Sequence, residues 1–572
     1  MQYKPTTKQC QNCKKEFVIE PDDFSFYEKM KVPPPTFCPE CRLVRKMTRR
    51  NERTLYKGKC INCSKNIFSM YYSPSIFQVY CNDCWWSDDF NAIDYGQDYD
   101  FSQPFFKQFF ELSSKVPRVS LFQKGNINSE YTNHADHNKN SYLSYNNGLI
   151  EDSMYSKWGI KSRQIFDCYS VFFSELIYES LNIENCSNCV HVYHSKDCLD
   201  CGFLYNCKGC NYCFLSSNLR NKNYVFLNKQ LSKEEYQQAI SKLNMGSFAS
   251  YKNILKKFKN EVLQNTIRKY ALVEKVVNVT GDNIIESKNI KNGFHISKAE
   301  NCTYCVDDSG IKDSYDTYEA AFNCELQYDC HACNRLSNGK FCSISYDSND
   351  IIYSEMCHGS SHLFACIGLR NKSYCILNKQ YTKEQYEELV PKIIKHMNDM
   401  PYIDKKGRVY KYGEFFPSEL SPFAYNETIA QEYFPLTKEQ AIKQGYRWKD
   451  KEERNYTIDI KNEDIPDNIK DVNTDILGKV IECEHKGTCN HQCTQAFKII
   501  PEELQFYQRM NLPIPHLCPN CRHYERLAQR NPMKLWHRTC MKEGCNNEFE
   551  TSYSPDRPEI VYCESCYQKE VY

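Results

Sequence analysis

The sequence predicts a mainly β, multidomain protein in which paired four-cysteine zinc-ribbon modules at both termini flank two parallel β-solenoid-like blocks with short capping helices. Three observations predict it. Cysteine is abundant, 34 of 572 residues, and falls into close pairs near both ends. The two terminal sets share their spacing, and the middle of the chain repeats cysteine, tyrosine and small polar residues at a short step. The 73 basic and 72 acidic residues leave a net charge of +1, which excludes a wholly basic nucleic-acid coat. Any charged surface is therefore local.

At roughly 150 residues per domain the length suggests about four units. Mean hydropathy is low (-0.68), and no stretch approaches the ~20 apolar residues of a membrane span. Met1 to Cys10 reads MQYKPTTKQC, without the basic, apolar and small-residue succession of a secretory signal. A reducing, cytoplasmic setting is expected (host cytoplasm or virion if the protein is viral), where close cysteine pairs favour zinc over disulfides.

The N-terminal module, residues 1–95, opens with Cys10/Cys13, Cys38/Cys41, Cys60/Cys63 and Cys81/Cys84. Two such knuckles present four sulfurs to one tetrahedral ion, so four pairs imply two zinc ions. The C-terminal module, residues 481–572, repeats the plan with Cys489/Cys493, Cys518/Cys521, Cys540/Cys545 and Cys563/Cys566. The spacings Cys13 to Cys38, Cys41 to Cys60 and Cys63 to Cys81 recur exactly, as do Phe26-Tyr27 in Phe506-Tyr507 and Cys38-Pro39 in Cys518-Pro519. This is an internal duplication, with about four structural zinc ions expected. Closed four-cysteine sites leave no position for a reactive water, which argues against a zinc hydrolase. Cys483 and His485 lie just upstream of Cys489 and are alternative fourth ligands; Cys489 is the expected one. Sequential and cross-braced pairing both fit the spacing.

Basic residues fill the stretch between the zinc sites of each module: Arg42, Arg45, Lys46, Arg49, Arg50 and Arg53 in one, Arg522, Arg526, Arg530, Lys534 and Arg538 in the other. A four-residue recurrence makes one helical face basic. With Tyr56 or Trp536 adjacent, such a face suits phosphates and a stacked base, so nucleic acid is the expected partner and an acidic protein partner the alternative.

The first solenoid-like block, residues 96–238, shows its register in Cys186, Cys198 and Cys210 and again in Cys189, Cys201 and Cys213, each twelve apart. That step is too short for a helical pair and suits a strand with a corner. A helical connector over 239–278 leads to a second block, residues 279–400, whose rungs are Cys302/Cys305, Cys330/Cys333 and Cys342. Both blocks end alike, Leu219-Arg220-Asn221-Lys222 recurring 150 residues on as Leu369-Arg370-Asn371-Lys372. Each is followed by a capping-box start, Ser232 with Glu235 and Thr382 with Gln385. In a regular strand, the members of a Cys-x-x-Cys pair point to opposite faces, so the central cysteines read as packing rather than ligands. Residues 401–480 form an aromatic and charged linker, with 449–475 charged enough for a tether and 412–435 aromatic enough to pack on the second block. Trp85, Trp86 and the aromatics from Phe101 to Phe110 are expected to seat the N-terminal module on the first block. No nucleophile elbow, phosphate loop or His-Glu-x-x-His helix is present, and no small-molecule substrate is indicated.

The segments CQNCKKEFVIEPDDFSFYEKMKVPPPTFCPECR and SEYTNHADHNKNSYLS, the LRNKxYxxLNKQ motif and the ending WHRTCMKEGCNNEFETSYSPDRPEIVYCESCYQKEVY resemble an uncharacterised family of zinc-ribbon, Cys-rich repeat proteins of candidate-phyla bacteria and giant DNA viruses. The resemblance spans nearly the whole chain and implies zinc without implying an activity. Some viral members carry a CaiB/BaiF-type CoA-transferase label, which would imply an aspartate nucleophile in an interlocked α/β fold. This sequence has neither the alternating strand and helix patterns nor a motif around any Asp that such an enzyme needs. The expected function is non-enzymatic zinc-dependent binding of nucleic acid, with a protein scaffold as the alternative.

Overall fold

A computed structural model describes residues 3–72, 75–450 and 456–572. Its centre is a pair of parallel β-solenoids. The first stacks short strands from Gln123–Lys124 to Asn223–Phe226, the second from Val273–Glu274 to Ser373–Ile376. Most strands pair in parallel with residues twelve positions on, as Tyr169 with Leu181 and Ser361 with Ser373.

Within a turn the backbone changes direction every third residue. Asn140, Leu143, Asn146, Leu149 and Asp152 all take left-handed φ values between 46° and 56°. A turn therefore has four sides of three residues, tighter than a strand with a single corner. The left-handed region disfavours residues with a Cβ by ~1–2 kcal/mol each, least for Asn and Asp. Their frequency at these positions is the sequence trace of the corners. What offsets the cost is inter-turn hydrogen bonding, for example Tyr169 N–H to the Ser180 carbonyl at 3.0 Å.

The residue after each corner points inward, so small side chains fill a narrow interior. Ser162 Oγ accepts from the Ser174 amide (3.1 Å) and donates to the Ile160 carbonyl (3.0 Å). Cys198 and Cys210 occupy the same kind of position, their thiols donating to the Lys196 (3.3 Å) and Lys208 (3.4 Å) carbonyls. Both members of each central Cys-x-x-Cys pair thus face the same interior, because a three-residue side replaces the two-residue alternation of a regular strand. Cys189, Cys201, Cys330, Cys342 and their neighbours are buried.

Helices Lys233–Ser241 and Lys383–Asp399 close the C-terminal ends of the two solenoids through the expected capping boxes. Tyr236 packs on Tyr224 and Tyr386 on Tyr374, which covers the last strands against edge pairing. The connector is helical over Phe248–Lys257, with a π-helical turn at Phe258–Leu263. Its second half is not helical: Ile267–Lys269 is a strand.

Of the tether expected over 449–475, residues 451–455 lie outside the described residues. From 456 onward the segment is anchored. The amide of Phe248 donates to the Asp467 carbonyl (2.7 Å) and that of Ile469 to the Gly246 carbonyl (2.9 Å). Ile465, Ile469 and Ile476 are buried. Charged residues dominate its composition, but its isoleucines recur often enough to seat it. No helix among the described residues is long and apolar enough to cross a membrane.

Candidate metal centres and the interface they organise

Each terminal module consists of two ribbons. A ribbon is a two-stranded hairpin, such as Thr6–Gln9 with Glu16–Ile19, followed by a second knuckle that opens a helix. Four groups of four cysteines come together: Cys10, Cys13, Cys38 and Cys41; Cys60, Cys63, Cys81 and Cys84; Cys483, Cys493, Cys518 and Cys521; Cys540, Cys545, Cys563 and Cys566. Within each group the sulfurs lie within 4.8 Å of one another. The edge of a tetrahedron with metal–sulfur bonds of about 2.3 Å is about 3.8 Å. Observed separations are 3.7 Å for Cys13–Cys38, 3.8 Å for Cys63–Cys81, and 3.9 Å for both Cys493–Cys518 and Cys545–Cys563. The residues fit a tetrahedral ion, and pairing is sequential rather than cross-braced.

Local structure favours thiolate in each group. Cys38, Cys81, Cys518 and Cys563 are the N-cap residues of their helices, where the helix dipole stabilises negative charge. The first cysteine of each group accepts an amide hydrogen: Cys10 from Cys38 (3.3 Å), Cys60 from Cys81 (3.3 Å), Cys483 from Cys518 (3.2 Å) and Cys540 from Cys563 (3.3 Å). This contact identifies Cys483, not Cys489, as the counterpart of Cys10. Spacing to Cys493 pointed to Cys489, but the C-terminal knuckle has a longer loop that brings the more distant cysteine into the fourth position. Among the described residues, none of the central cysteines belongs to such a group.

The basic faces turn inward. Arg42, Arg45, Lys46, Arg49 and Arg50 are at most 5% exposed. Arg42 Nε is 2.9 Å from Asp316, Lys46 Nζ is 2.6 Å from Asp329, and Arg45 spans Asp329 (3.2 Å) and Glu414 (2.9 Å). Arg49 pairs with Glu355, and Arg50 with Glu52 and Glu319. Arg53 lies 3.7 Å from Glu432 and over the ring of Tyr145. In the other module Arg522 and Arg526 meet Asp167 at 3.1 and 3.0 Å, Arg526 meets Glu179 at 2.9 Å, and Arg530 donates to the Tyr169 hydroxyl at 2.6 Å. The expected phosphate contacts are thus corrected for these nine residues. Only Arg42, Arg45 and Lys46 lie on helix Pro39–Met47, and Arg522 and Arg526 on helix Pro519–Leu527. Arg49, Arg50, Arg53 and Arg530 follow the helix ends, so the expected single helical face is not formed, and most of these cations meet acids of the solenoids or the linker. Lys534 is exposed beside Trp536, and the half-buried Arg538 donates to the Ser554 carbonyl.

The docking is crossed. The N-terminal module sits on the second solenoid and the C-terminal module on the first, through equivalent contacts. Phe26 stacks on Tyr315 and Phe506 on Phe166, each at 3.8 Å between ring centroids. Tyr27 meets Tyr328 edge-on, as Tyr507 meets Tyr178. Asp167 and Asp316 are 149 residues apart, whereas Glu179 and Asp329 are 150 apart. The difference is one extra residue at Phe322-Asn323, two consecutive left-handed positions where the strand register shifts.

The outer ribbons join each solenoid's start to the other's end. Val79 pairs in parallel with Arg118 and Ile560 with Ile267. Arg370 donates to the Trp86, Ser87 and Phe90 carbonyls, while Arg220 and Asn206 bond the Tyr567 hydroxyl. Trp85 and Trp86 therefore seat the module on the second block rather than the first. Phe105 and Phe106 do likewise through Tyr353, because the chain folds back across the second solenoid before entering the first.

At the centre, Lys157 Nζ lies 2.8 Å from Glu52 and 3.1 Å from Glu432, and Glu432 is 3.2 Å from His523 Nε2. Both modules, the first solenoid and the linker helix Ile429–Tyr433 meet there. Burial opposes ionisation of Glu52, yet Lys157 and Arg50 pull its carboxyl down to about 2. Burial pushes the His523 imidazole down to about 3. The solenoid acids were missed in the sequence, although their signal was present: Asp167 and Glu179 are one twelve-residue step apart.

No family model and no curated protein matches the chain. Among solved structures, the chain is similar to a proposed acetyltransferase from Desulfovibrio desulfuricans G20 at 11% identity, covering 50% of this chain and 75% of that one. The TM-score is 0.10, a likeness too slight to inform either fold or chemistry.

Proposed function

We propose that this protein is a non-catalytic scaffold in which zinc-loaded terminal modules clamp two solenoids into one body, leaving the outer solenoid faces to bind a protein partner. The observation that carries this reading is the inward orientation of the basic faces. Nine of the thirteen lysines and arginines between the zinc sites are engaged with the solenoids, the linker or their own module, and Lys57, Lys59 and Lys534 are exposed, so most of this charge serves internal docking. Zinc is the metal proposed because closed, tetrahedral, all-cysteine sites select it and suit a structural ion.

The solenoids carry ordered polar ladders beside the docked modules, the second ending on Asp313, which also meets Lys29 of the N-terminal module at 3.4 Å. Asn128 donates to Asn140 (3.3 Å) and Asn140 to Asp152 (2.9 Å); Asn289, Asn301 and Asp313 repeat the arrangement at 2.9 Å per step. Regular amide and carboxylate rows on a rigid support suit recognition by hydrogen bonding. The test is fluorescence anisotropy with labelled single-stranded and duplex nucleic acid at about 50 mM salt. The scaffold reading expects no saturable binding. Binding whose log affinity falls linearly with log salt, with a slope of several phosphates, would overturn it in favour of a nucleic-acid partner.

A further inference from the structure

The two modules differ at one knuckle. Cys10 and Cys13 are separated by two residues, whereas their counterparts Cys483 and Cys493 are separated by nine. The longer loop carries His485, Cys489 and His491 and folds back so that, with Cys521, their ligand atoms all lie within 4.8 Å of one another. Cys489 Sγ is 3.7 Å from Cys521 Sγ, and Cys521 is also 3.9 Å from Cys483. Cys521 thus belongs to two tetrahedral groups. In the N-terminal module the matching sulfur, Cys41, accepts instead from the Asn12 side-chain amide at 3.3 Å.

A second observation points to a ligand. Nδ1 of His485 and Nδ1 of His491 are both buried without a hydrogen-bond partner, an unfavourable state for a ring nitrogen unless something binds there. The ring of His491 is held parallel to Tyr524 at 5.6 Å. The loop is fixed by Asn520, whose side-chain amide donates to the Gln492 carbonyl at 3.0 Å.

We propose that this loop builds a fifth zinc site, His485–Cys489–His491–Cys521, and that the Cys521 thiolate bridges it to the ion held by Cys483, Cys493 and Cys518. Two histidines and two cysteines form a closed donor set for zinc, and a thiolate has lone pairs for two cations. A lone divalent ion among four thiolates leaves a net charge of -2. Adding a second ion and the Cys489 thiolate brings the cluster to -1, which lowers the electrostatic cost of enclosing it. The proposal rests on the zinc loading of the four-cysteine groups proposed above.

Native mass spectrometry of the full chain, saturated with zinc and then freed of excess, tests it. Five zinc ions are expected, falling to four in the His485→Ala/His491→Ala double variant. Cobalt(II) loading should give a mixed nitrogen–sulfur visible spectrum for one ion in five, absent from the double variant. Four ions in the wild-type protein, or five in both proteins, overturns the fifth site while leaving the four-cysteine groups intact. Fewer than four ions in the double variant overturns both readings.

Discussion

Arg522 Nε lies 3.1 Å from the Asp167 carboxylate, repeating on the first solenoid the 2.9 Å contact of Arg42 with Asp316 on the second. Arg42 and Arg522 are 480 residues apart in sequence and are nonetheless held by one design. The duplication therefore includes the interface as well as the ribbons and the solenoids, and each module is crossed onto the other half's solenoid. Crossing makes the chain's two halves mutually dependent.

Removing one partner of these buried pairs should cost far more than removing an exposed one. Asp316→Ala strands the buried Arg42 guanidinium, with an expected loss of ~3–5 kcal/mol. Asp167→Ala leaves Arg526 with Glu179 and Arg522 with Glu503 and should cost less. Asp83→Ala, at the exposed Lys65–Asp83 pair, should change stability by less than about 1 kcal/mol. Hydrogen exchange in the helices Pro39–Met47 and Pro519–Leu527 would report each loss at its own module.

Metal removal should undo the clamp before the solenoids. Chelation leaves four mutually repelling sulfur clusters without their ions, whereas inter-turn hydrogen bonds in the solenoids need no metal. Limited proteolysis after chelation should cut first within 1–95 and 481–572. Simultaneous digestion of 123–226 would contradict this order.

Cysteines in the two settings should respond differently to serine. Cys518→Ser should lower the metal content by one ion per chain. Cys198→Ser should leave the metal count unchanged and cost about 1 kcal/mol or less, because serine already fills equivalent inward positions with the same hydrogen bonds. Paired metal analysis and thermal unfolding of the two variants check both halves of this expectation.

Acid should loosen the central junction. Glu52 is held at about 2 in the fold, below the ordinary value near 4.3. Its contribution is therefore complete above about pH 4.3 and lost as pH falls through 2. His523, held at about 3, acts in the same direction, since the unfolded chain takes up its proton near pH 6.5 while the folded protein does not. A Glu52→Gln variant should be less stable at neutral pH and should lose less stability than wild type between pH 4.3 and 2. Parallel acid slopes for the two proteins would refute this assignment.

Much of the architecture was legible. Duplicated cysteine spacings located both modules, and the Cys186, Cys198, Cys210 step gave the turn of the solenoid, because a stacked repeat must return to the same side every twelve residues. The step is less regular in the second block, where an added residue at Phe322-Asn323 and a register shift between Val279 and Gly281 break the count. Lys534 and Arg42 are alike as sequence, yet one is exposed and the other buried. Nothing in a local pattern distinguishes a cation that meets solvent from one that meets a carboxylate hundreds of residues away.

By itself the sequence determined seven of the eight ligand pairs, the repeat step and the capping boxes, since each depends on residues near one another in the chain. Only the tertiary structure decided that Cys483 takes the fourth sulfur position, that each module crosses to the distant solenoid, and that the arginines are internal. Those outcomes depend on which surfaces meet after folding, where a loop's path and one shared acidic column outweigh local spacing.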